Sequence, residues 1–516
     1  MNASVAIEAE TRTRGPALSA RSSILIGLVL LSAAAVRFII VGCRALGSPL
    51  EHDYGEGIVW QQMRLMFEGK GYGPIDGFPT IVFHYPPLYH ATVEALSATG
   101  LDALFAGRLV SFVCTLASAA LVGLMGAYIA RTDKPSEATV GGIFAGLAVL
   151  NLAIVEKWSL IMRVDMLSIA LSLLGLWFGL RAITRPASIV PASLCFVAAI
   201  FTKQTSIAAP AALFATLLLV SPRTAWRGIV ICVGLGGATL LALLLATDGG
   251  LLRHLILYNI NRFDISDLAL IPAVLINYWL FFVACVIGLV LILRERLSAY
   301  RGLSWTERRE KLANTPQDGA LFAVLLYLAI KTLMSVLIAK SGANANYLIE
   351  WMLACAIFIA PAIQTAMSER PSLASLLVPI ALAVPALTTA FAPMNNPSER
   401  RIAEMNQLSA MVRASPRPVI SDDMLVLLRN GKEVVWEPAI FAELASTGHW
   451  DERPFVARIR NGTFGFFITE GDRGGAKYDS RYTPAVADAM DAAYPTRCRL
   501  AGYVIHLPGR EKCPAR

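Results

Sequence analysis

Charged residues are scarce in this chain. Only 16% of its 516 residues are Asp, Glu, Lys or Arg, against roughly 25% in soluble domains, and that shortage excludes an ordinary soluble fold. The eight cysteines are scattered, with none of the paired spacings that bind zinc. Cys43, Cys114, Cys195, Cys232, Cys285 and Cys355 lie in or beside apolar runs, where cysteine behaves as a small hydrophobe. Cys498 and Cys513 fall in polar sequence, where an oxidising compartment would let them pair. No basic patch with interleaved aromatics occurs, so the net charge of +8 reads as loop charge rather than as a nucleic-acid surface. Between Val36 and Cys43 there is no small-x-small cleavage motif, so the N-terminal apolar run reads as an uncleaved span and not a signal peptide. No internal repeat is visible.

What the chain has instead is apolar length. It is 56% hydrophobic, with a mean hydropathy of +0.57, and its apolar runs reach the roughly 20 residues that a bilayer-crossing helix needs. A polar segment, residues 1–22, carries Arg12, Arg14 and Arg21. Runs follow at about 23–42, 104–130, 138–155, 160–181, 187–203, 205–220, 228–247, 270–293, 319–340, 347–367 and 372–392. The expected fold class is an α-helical polytopic membrane protein of about eleven transmembrane helices. Its membrane domain covers residues 23–392, with a large first outer loop at 43–103.

Lysine and arginine set the expected orientation. With the N-terminus cytoplasmic, alternate loops carry Arg131 and Lys134, Arg181 and Arg185, Arg223 and Arg227, then Arg294, Arg296, Arg301, Arg308, Arg309 and Lys311. The opposite loops hold single cations near helix ends: Lys157, Lys203, Arg253, Arg262 and Lys340. An odd number of spans puts residues 393–516 outside. This tail opens with a Pro- and Asn-containing joint at Ala392–Pro397. Short β-type runs at Pro418–Ile420, Phe464–Ile468 and Tyr503–His506 alternate with helical patterns at about 397–414, 439–446 and 453–461. It reads as a small α/β domain on the outer face.

The stretch Glu51–His90, EHDYGEGIVWQQMRLMFEGKGYGPIDGFPTIVFHYPPLYH, is polar and aromatic between two apolar runs. An acid at a membrane edge costs free energy unless it has a partner or a task, and Asp53 and Glu56 stand directly after the first run. The plain alternative is a solvated loop acid or a helix cap, since Asp-Tyr-Gly-Glu resembles a capping box. The same face gathers His84 and Tyr85; Arg163 and Asp165 in EKWSLIMRVDMLS; Lys203 and Gln204 in FTKQTS; His254, Asn259 and Arg262; and Lys340, Asn346, Tyr347 and Glu350 in KSGANANYLIE. Separated cations at a low-dielectric edge suit a lipid-linked phosphate, and acids suit general-base work on a sugar hydroxyl. The bland readings are an interfacial Arg163–Asp165 pair, lysines that snorkel from helix ends, and prolines 86 and 87 that stiffen a turn. Asp422 and Asp423 follow a strand end, a place where ligands bind, though a surface loop accounts for them as well.

Taken in order, HDYGEG, GKGYG, YPPLYH, Arg108 in GRLVS, RVDML, TKQTS and NYLIE resemble the GT-C superfamily of membrane glycosyltransferases. The likeness is to bacterial transferases related to the protein O-mannosyltransferases, the lipid A aminoarabinose transferase and the RgtA/B/C/D-like enzymes, and it spans residues 20–395. It implies transfer of a hexose or pentose from a polyprenyl-phosphate donor to a cell-envelope glycan, lipid or protein, by inverting displacement. The implied location is the outer face of the bacterial inner membrane. Asp53 would be the general base, with Glu56 and Asp165 as further acids. Lys203 and Arg262 would contact the donor phosphate, with Lys340 and Arg163 as further phosphate-binding residues, and His84, Tyr85, Asn346 and Tyr347 would line the substrates. Some GT-C enzymes use a divalent metal and many with monophosphate donors do not; no metal or other cofactor is assigned. The chain departs from the usual Asp-Glu pair, because Tyr54 follows Asp53 and the acid comes at Glu56. A transporter or flippase of a lipid-linked substrate is the main alternative, although such proteins place charge near the midplane and carry inverted repeats. A membrane scaffold with a sensory outer domain would not need acids and cations on so many outer loops.

Overall fold

The computed structural model describes residues 15–130, 134–259, 261–369, 371–394, 397–509 and 513. Arg12, Arg14, Arg131 and residues 395–396 of the joint lie outside the described residues. Seven described helices are long and apolar enough to cross a bilayer: Arg21–Leu46, Ala103–Ala130, Asp165–Ala182, Pro222–Ala246, Pro316–Ala339, Asn346–Met367 and Leu373–Ala390. Two further runs are bent pairs, Pro135–Leu150 with Ala153–Ser159 at 69° and Ile265–Asn277 with Trp279–Ser298 at 79°. Pro186–Thr202 and Ala208–Val220 are shorter apolar helices. The first helix begins at Gly15, earlier than its apolar run, because residues ahead of the run continue the same turn.

The two breaks answer each other. A helix start inside an apolar bundle leaves backbone donors that only protein can satisfy. Ile154, at the start of Ala153–Ser159, donates its N–H to the hydroxyl of Tyr278 at 3.0 Å, and Tyr278 is the residue at which the other pair bends. Elsewhere small residues let helices touch, as they do where lipid supplies no hydrophobic drive. A methyl on Gly123 would lie 2.7 Å from the Gly142 carbonyl oxygen, so Ala103–Ala130 and Pro135–Leu150 pack backbone to backbone. Around the bundle large apolar side chains face outward. Pro222–Ala246 buries none of its most apolar stretch, and its Val233 and Leu245 are 69% and 72% exposed. A face of that kind requires an apolar surrounding.

At one end of the bundle the loop after the first helix forms two short helices, Glu56–Phe67 and Leu88–Ser97. Over them sits the C-terminal domain, a four-stranded sheet in the order β1-β2-β4-β3: β1 Ile420–Ser421, β2 Phe467–Thr469, β3 Thr496–Leu500 and β4 Tyr503–Leu507. β1 runs parallel to β2, and the other pairs are antiparallel. Strand β3 escaped the apolar pattern because Arg497 and Arg499 point outward on either side of buried Cys498, which suits a charged edge strand. Cys498 and Cys513 form a disulfide with Cα atoms 5.6 Å apart.

Loop and domain share a core. Ile58, Val59 and Met63 pack with Met405, Met424, Leu425 and Ile505, while Ile75 and Val82 join Trp436, Phe441 and Phe455. Gly57 admits the helix Met424–Arg429, since a methyl there would lie 2.5 Å from the Leu425 nitrogen. Asp422 and Asp423 are not surface-loop residues: they are 2% and 3% exposed. Asp423 caps Met424–Arg429 through the Val426 N–H at 3.0 Å, and its other oxygen accepts from the Tyr503 hydroxyl at 3.2 Å. Burial, then Asp423 and Glu56, push Glu51 well above the ordinary carboxylate range, and burial raises Asp423 as well.

Acids whose folded-state pKa is raised stabilise the fold at low pH, and that contribution is lost as pH rises through the raised values. Glu51→Gln removes the titrating acid whose charge acts on Asp423. Thermal melts of purified protein should show the variant matching wild type near pH 4 and melting higher than wild type at pH 8.

Candidate active site

The turn before Glu56–Phe67 places the first acids. Gly55, at φ 106°, starts the helix without any side-chain cap, so the capping box read from Asp-Tyr-Gly-Glu does not form. A Cβ at Gly55 would meet the Arg163 guanidinium at 2.6 Å. Asp53 is left to pair across to Lys157 on Ala153–Ser159, at 2.9 Å, with side chains 19% and 51% exposed. Glu56 has the opposite surroundings. Fully buried, it accepts from Arg108 Nε and Nη2 at 2.8 and 2.7 Å, from the His52 N–H at 2.7 Å and from the Met162 N–H at 2.9 Å. Arg108 also donates to the carbonyls of Ala45, Ser48 and Leu50 at 3.2, 2.7 and 2.7 Å. Both Glu56 oxygens are therefore occupied by protein donors.

Asp165 begins its helix, where the backbone dipole favours negative charge. Its Oδ1 accepts from Lys203 Nζ at 2.6 Å and from Asn346 Nδ2 at 2.8 Å; Lys203, not Arg163, is its ion-pair partner. Lys203 in turn lies 4.4 Å over the Tyr347 ring. Four polar atoms here are buried without a protein partner: Asp165 Oδ2, Asn346 Oδ1, Arg163 Nε and Gln204 Oε1. Orphaned buried groups are costly, and two of the residues that carry them, Asp165 and Asn346, line one cavity, a place suited to water or ligand. A cavity of about 20 Å³ between Asp165, Lys203, Asn346, Tyr347, Lys331 and Glu350 is room for roughly one water.

Arg163 joins the two acids. Burial opposes its charge, but Tyr85, Asp165, Asp53 and Glu56 act on it together and raise its pKa; its guanidinium also lies 5.7 Å over Trp158. His84 is pushed down to about 3 by burial and by the charges of Lys340, His254 and Arg163, so it is neutral at physiological pH. Burial, followed by Lys203, lowers Lys340, whose Nζ donates to Asn259 Oδ1 at 2.6 Å. Gln204 ties the loop down by donating to the His84 carbonyl at 3.0 Å.

Asp53, Arg163, Asp165, Lys203, Asn346 and Tyr347 thus come together, with His84, Tyr85 and Lys340 beside them and Glu56 beneath. Arg262 does not join them. Its guanidinium and backbone N–H are committed to Glu443 of the C-terminal domain, at 3.1 and 2.8 Å, so it fastens the domain to the bundle. His254 spends both ring nitrogens, on the Phe83 N–H at 3.0 Å and the Gly73 carbonyl at 2.7 Å. Among the described residues no three acid, histidine or cysteine side chains converge as metal ligands do.

Several contributors lay beyond sequence reasoning. Lys157 was visible only as a helix-end cation, although its place opposite Asp53 is what holds that acid. Lys331 sits inside an apolar run and pairs with Glu350 at 2.9 Å, while Glu350 also accepts from the Tyr327 hydroxyl at 2.9 Å; a charge inside a span was the available signal. The roof comes from the C-terminal domain. Tyr54 is hydrogen-bonded to Glu437, and Arg481 lies 4.0 Å over the Tyr54 ring while pairing with Asp422 and Glu470, each at 3.1 Å.

This arrangement is built on a known scaffold. The structure superimposes on ArnT from Cupriavidus metallidurans bound to undecaprenyl phosphate, with TM-score 0.54 and 12% identity over 91% of this chain and 97% of that one. It also matches the Archaeoglobus fulgidus oligosaccharyltransferase in the apo form, with TM-score 0.52 and 10% identity over 92% and 71% of the two chains. AglB from the same organism, in complex with an inhibitory peptide and a dolichol-phosphate, gives 0.51 and 11% over 91% and 71%. The chain has the GT-C fold. No protein-family profile matches it, and no curated protein sequence is significantly similar. Within this GT-C fold the Glu56–Arg108 pair ties the first outer loop to the helix Ala103–Ala130. Arg108→Leu strands a buried carboxylate, which costs about 3–5 kcal/mol. Its melting temperature should fall far below that of wild type, or no folded protein should be recovered, and Glu56→Gln/Arg108→Leu should melt higher than Arg108→Leu alone.

Proposed function

We propose that the chain is an integral-membrane glycosyltransferase that moves a monosaccharide from a polyprenyl-phosphate donor to a hydroxyl of a cell-envelope glycan, lipid or protein. The observation that carries this reading is a buried Asp165 held by Lys203 at 2.6 Å, with Asp53 and Asp165 both acting on the charge of Arg163 and with Asp165 Oδ2, Asn346 Oδ1 and Arg163 Nε left without a protein partner. The fold supports it, and so do the lipid phosphates bound to ArnT and AglB. Arg163, Lys203 and Lys340 hold the donor phosphate and stabilise the charge that grows on it as the sugar departs, an effect strengthened by low dielectric. Asp53, held only by a half-exposed lysine, takes the proton of the acceptor hydroxyl as its oxygen attacks the anomeric carbon from the face opposite the phosphate. The carbon–oxygen bond to the phosphate breaks, and the sugar's configuration inverts.

Asp165 and Glu56 act as positioning residues: Asp165 fixes Lys203 and Asn346, and Glu56 fixes the turn that carries Asp53. His84, Tyr85, Asn346 and Tyr347 line the substrates, and the apolar helices receive the prenyl tail. Arg262 is left out of the donor site because Glu443 occupies it. The protein is assigned to the bacterial inner membrane, with the site and C-terminal domain on the outer side, an orientation that the distribution of lysine and arginine supports.

Membranes supplied with radiolabelled polyprenyl-phosphate sugars should yield labelled acceptor. Asp53→Asn should lower turnover by about 10²–10⁴-fold with an unchanged melting temperature; full turnover in the purified variant would remove Asp53 from the role of base. Lys340→Ala should raise the KM for donor by about ten- to hundredfold with a smaller change in kcat. Movement of intact donor across vesicles without any product would replace the transferase with a transporter.

A further inference from the structure

At the end of the bundle away from the C-terminal domain, the chain between Trp279–Ser298 and Pro316–Met334 folds back as the helix Trp305–Asn314. A reciprocal Ser304–Glu307 capping box fixes its start. Beneath it lies a groove of about 210 Å³ walled by Leu219, Leu293, Leu312, Phe322 and Leu325. Its rim is cationic and aromatic: Tyr300, Trp305, Arg308 and Arg309. Arg296, also at the groove, is consumed by Asp318 at 3.3 Å, which accepts from the Tyr300 hydroxyl at 2.8 Å as well. Arg308 and Arg309 are different. Each anchors its Nε to a backbone carbonyl, Leu303 and Leu219 respectively, at 2.9 Å, and neither forms an ion pair with a carboxylate among the described residues. Two arginines held in place at the mouth of an apolar slot form a receptor for a ligand with an anionic head and a hydrocarbon tail.

We propose that this groove is a lipid site, separate from the donor site, that holds an anionic phospholipid with its phosphate on Arg308 and Arg309 and part of an acyl chain in the slot. Its place favours a lipid over a soluble acidic peptide. The walls are the ends of spans, and Trp305 and Trp226 are 71% and 60% exposed, as amphipathic rings at a membrane–water boundary are. Arg223 and Arg227, at the start of the helix Pro222–Ala246, add to the field that draws anionic headgroups. Nothing in the donor chemistry uses this end of the molecule, so the two lipids do not compete.

The test uses the purified, delipidated full-length protein titrated with phosphatidylglycerol, phosphatidylcholine or glycerol phosphate, with retained lipid read by native mass spectrometry. Phosphatidylglycerol should bind at least about tenfold more tightly than phosphatidylcholine, and glycerol phosphate should not displace it. Arg308→Gln/Arg309→Gln should bring the two lipids level. Leu325→Trp, which fills the slot and keeps both charges, should weaken phosphatidylglycerol, while Arg301→Gln should change nothing. If the double variant does not fold, each single substitution carries the same comparison. Equal binding of the two lipids by wild type, an undiminished preference in the arginine variants, or displacement by glycerol phosphate would overturn the proposal.

Discussion

Burying a carboxylate and a guanidinium together costs more desolvation than their attraction returns unless every polar atom finds a partner. Glu56 and Arg108 meet that condition. Between them they gather the His52 and Met162 N–H groups and the carbonyls of Ala45, Ser48 and Leu50, so one pair pins the end of the first helix, the turn that carries Asp53, the helix Ala103–Ala130 and the approach to Asp165. Removing either charge would free the turn, and Asp53 would no longer face Lys157. The site's geometry is thus set by a contact in which Asp53, Asp165 and Lys203 take no part.

Around this anchor the charges are graded. Glu56 is fully enclosed, Asp165 keeps one unpartnered oxygen, and Asp53 is pinned by a single lysine that is half exposed. Enclosure fixes geometry and exposure allows proton exchange, so the three acids are suited to different tasks although all are carboxylates. The C-terminal domain extends the same logic. Tyr54, one residue from Asp53, is held by Glu437 and covered by Arg481, so the turn is gripped from above by the domain and from below by the bundle.

Much of the bundle was legible because hydropathy alone dictates it: each apolar run of residues 23–392 contains a helix. The breaks at residues 151–152 and at Tyr278 were not legible, because each is tolerated through a hydrogen bond from a distant segment. Asp53, Asp165 and Lys203 stood out as charges at the ends of apolar runs. Lys157 looked like any snorkelling lysine, since its importance lies in what it faces. Glu56 and Arg262 were legible as charged residues but not as occupied ones, because the partners Arg108 and Glu443 lie far away in sequence. Asp422 and Asp423 looked solvated for the same reason. Strand β3 was hidden by its alternating arginines, whose pattern marks an edge and not an apolar core.

The shared core between the first loop and the C-terminal domain orders events during biosynthesis. Ile58, Val59 and Met63 precede their packing partners Met405, Met424, Leu425 and Ile505 by most of the helices of the bundle. Contacts of such long sequence separation form late. The helices can be threaded into the bilayer one after another, while the turn bearing Asp53 waits, unbraced, for the C-terminal domain. The bracing of that turn is therefore completed only when the C-terminal domain has joined the bundle.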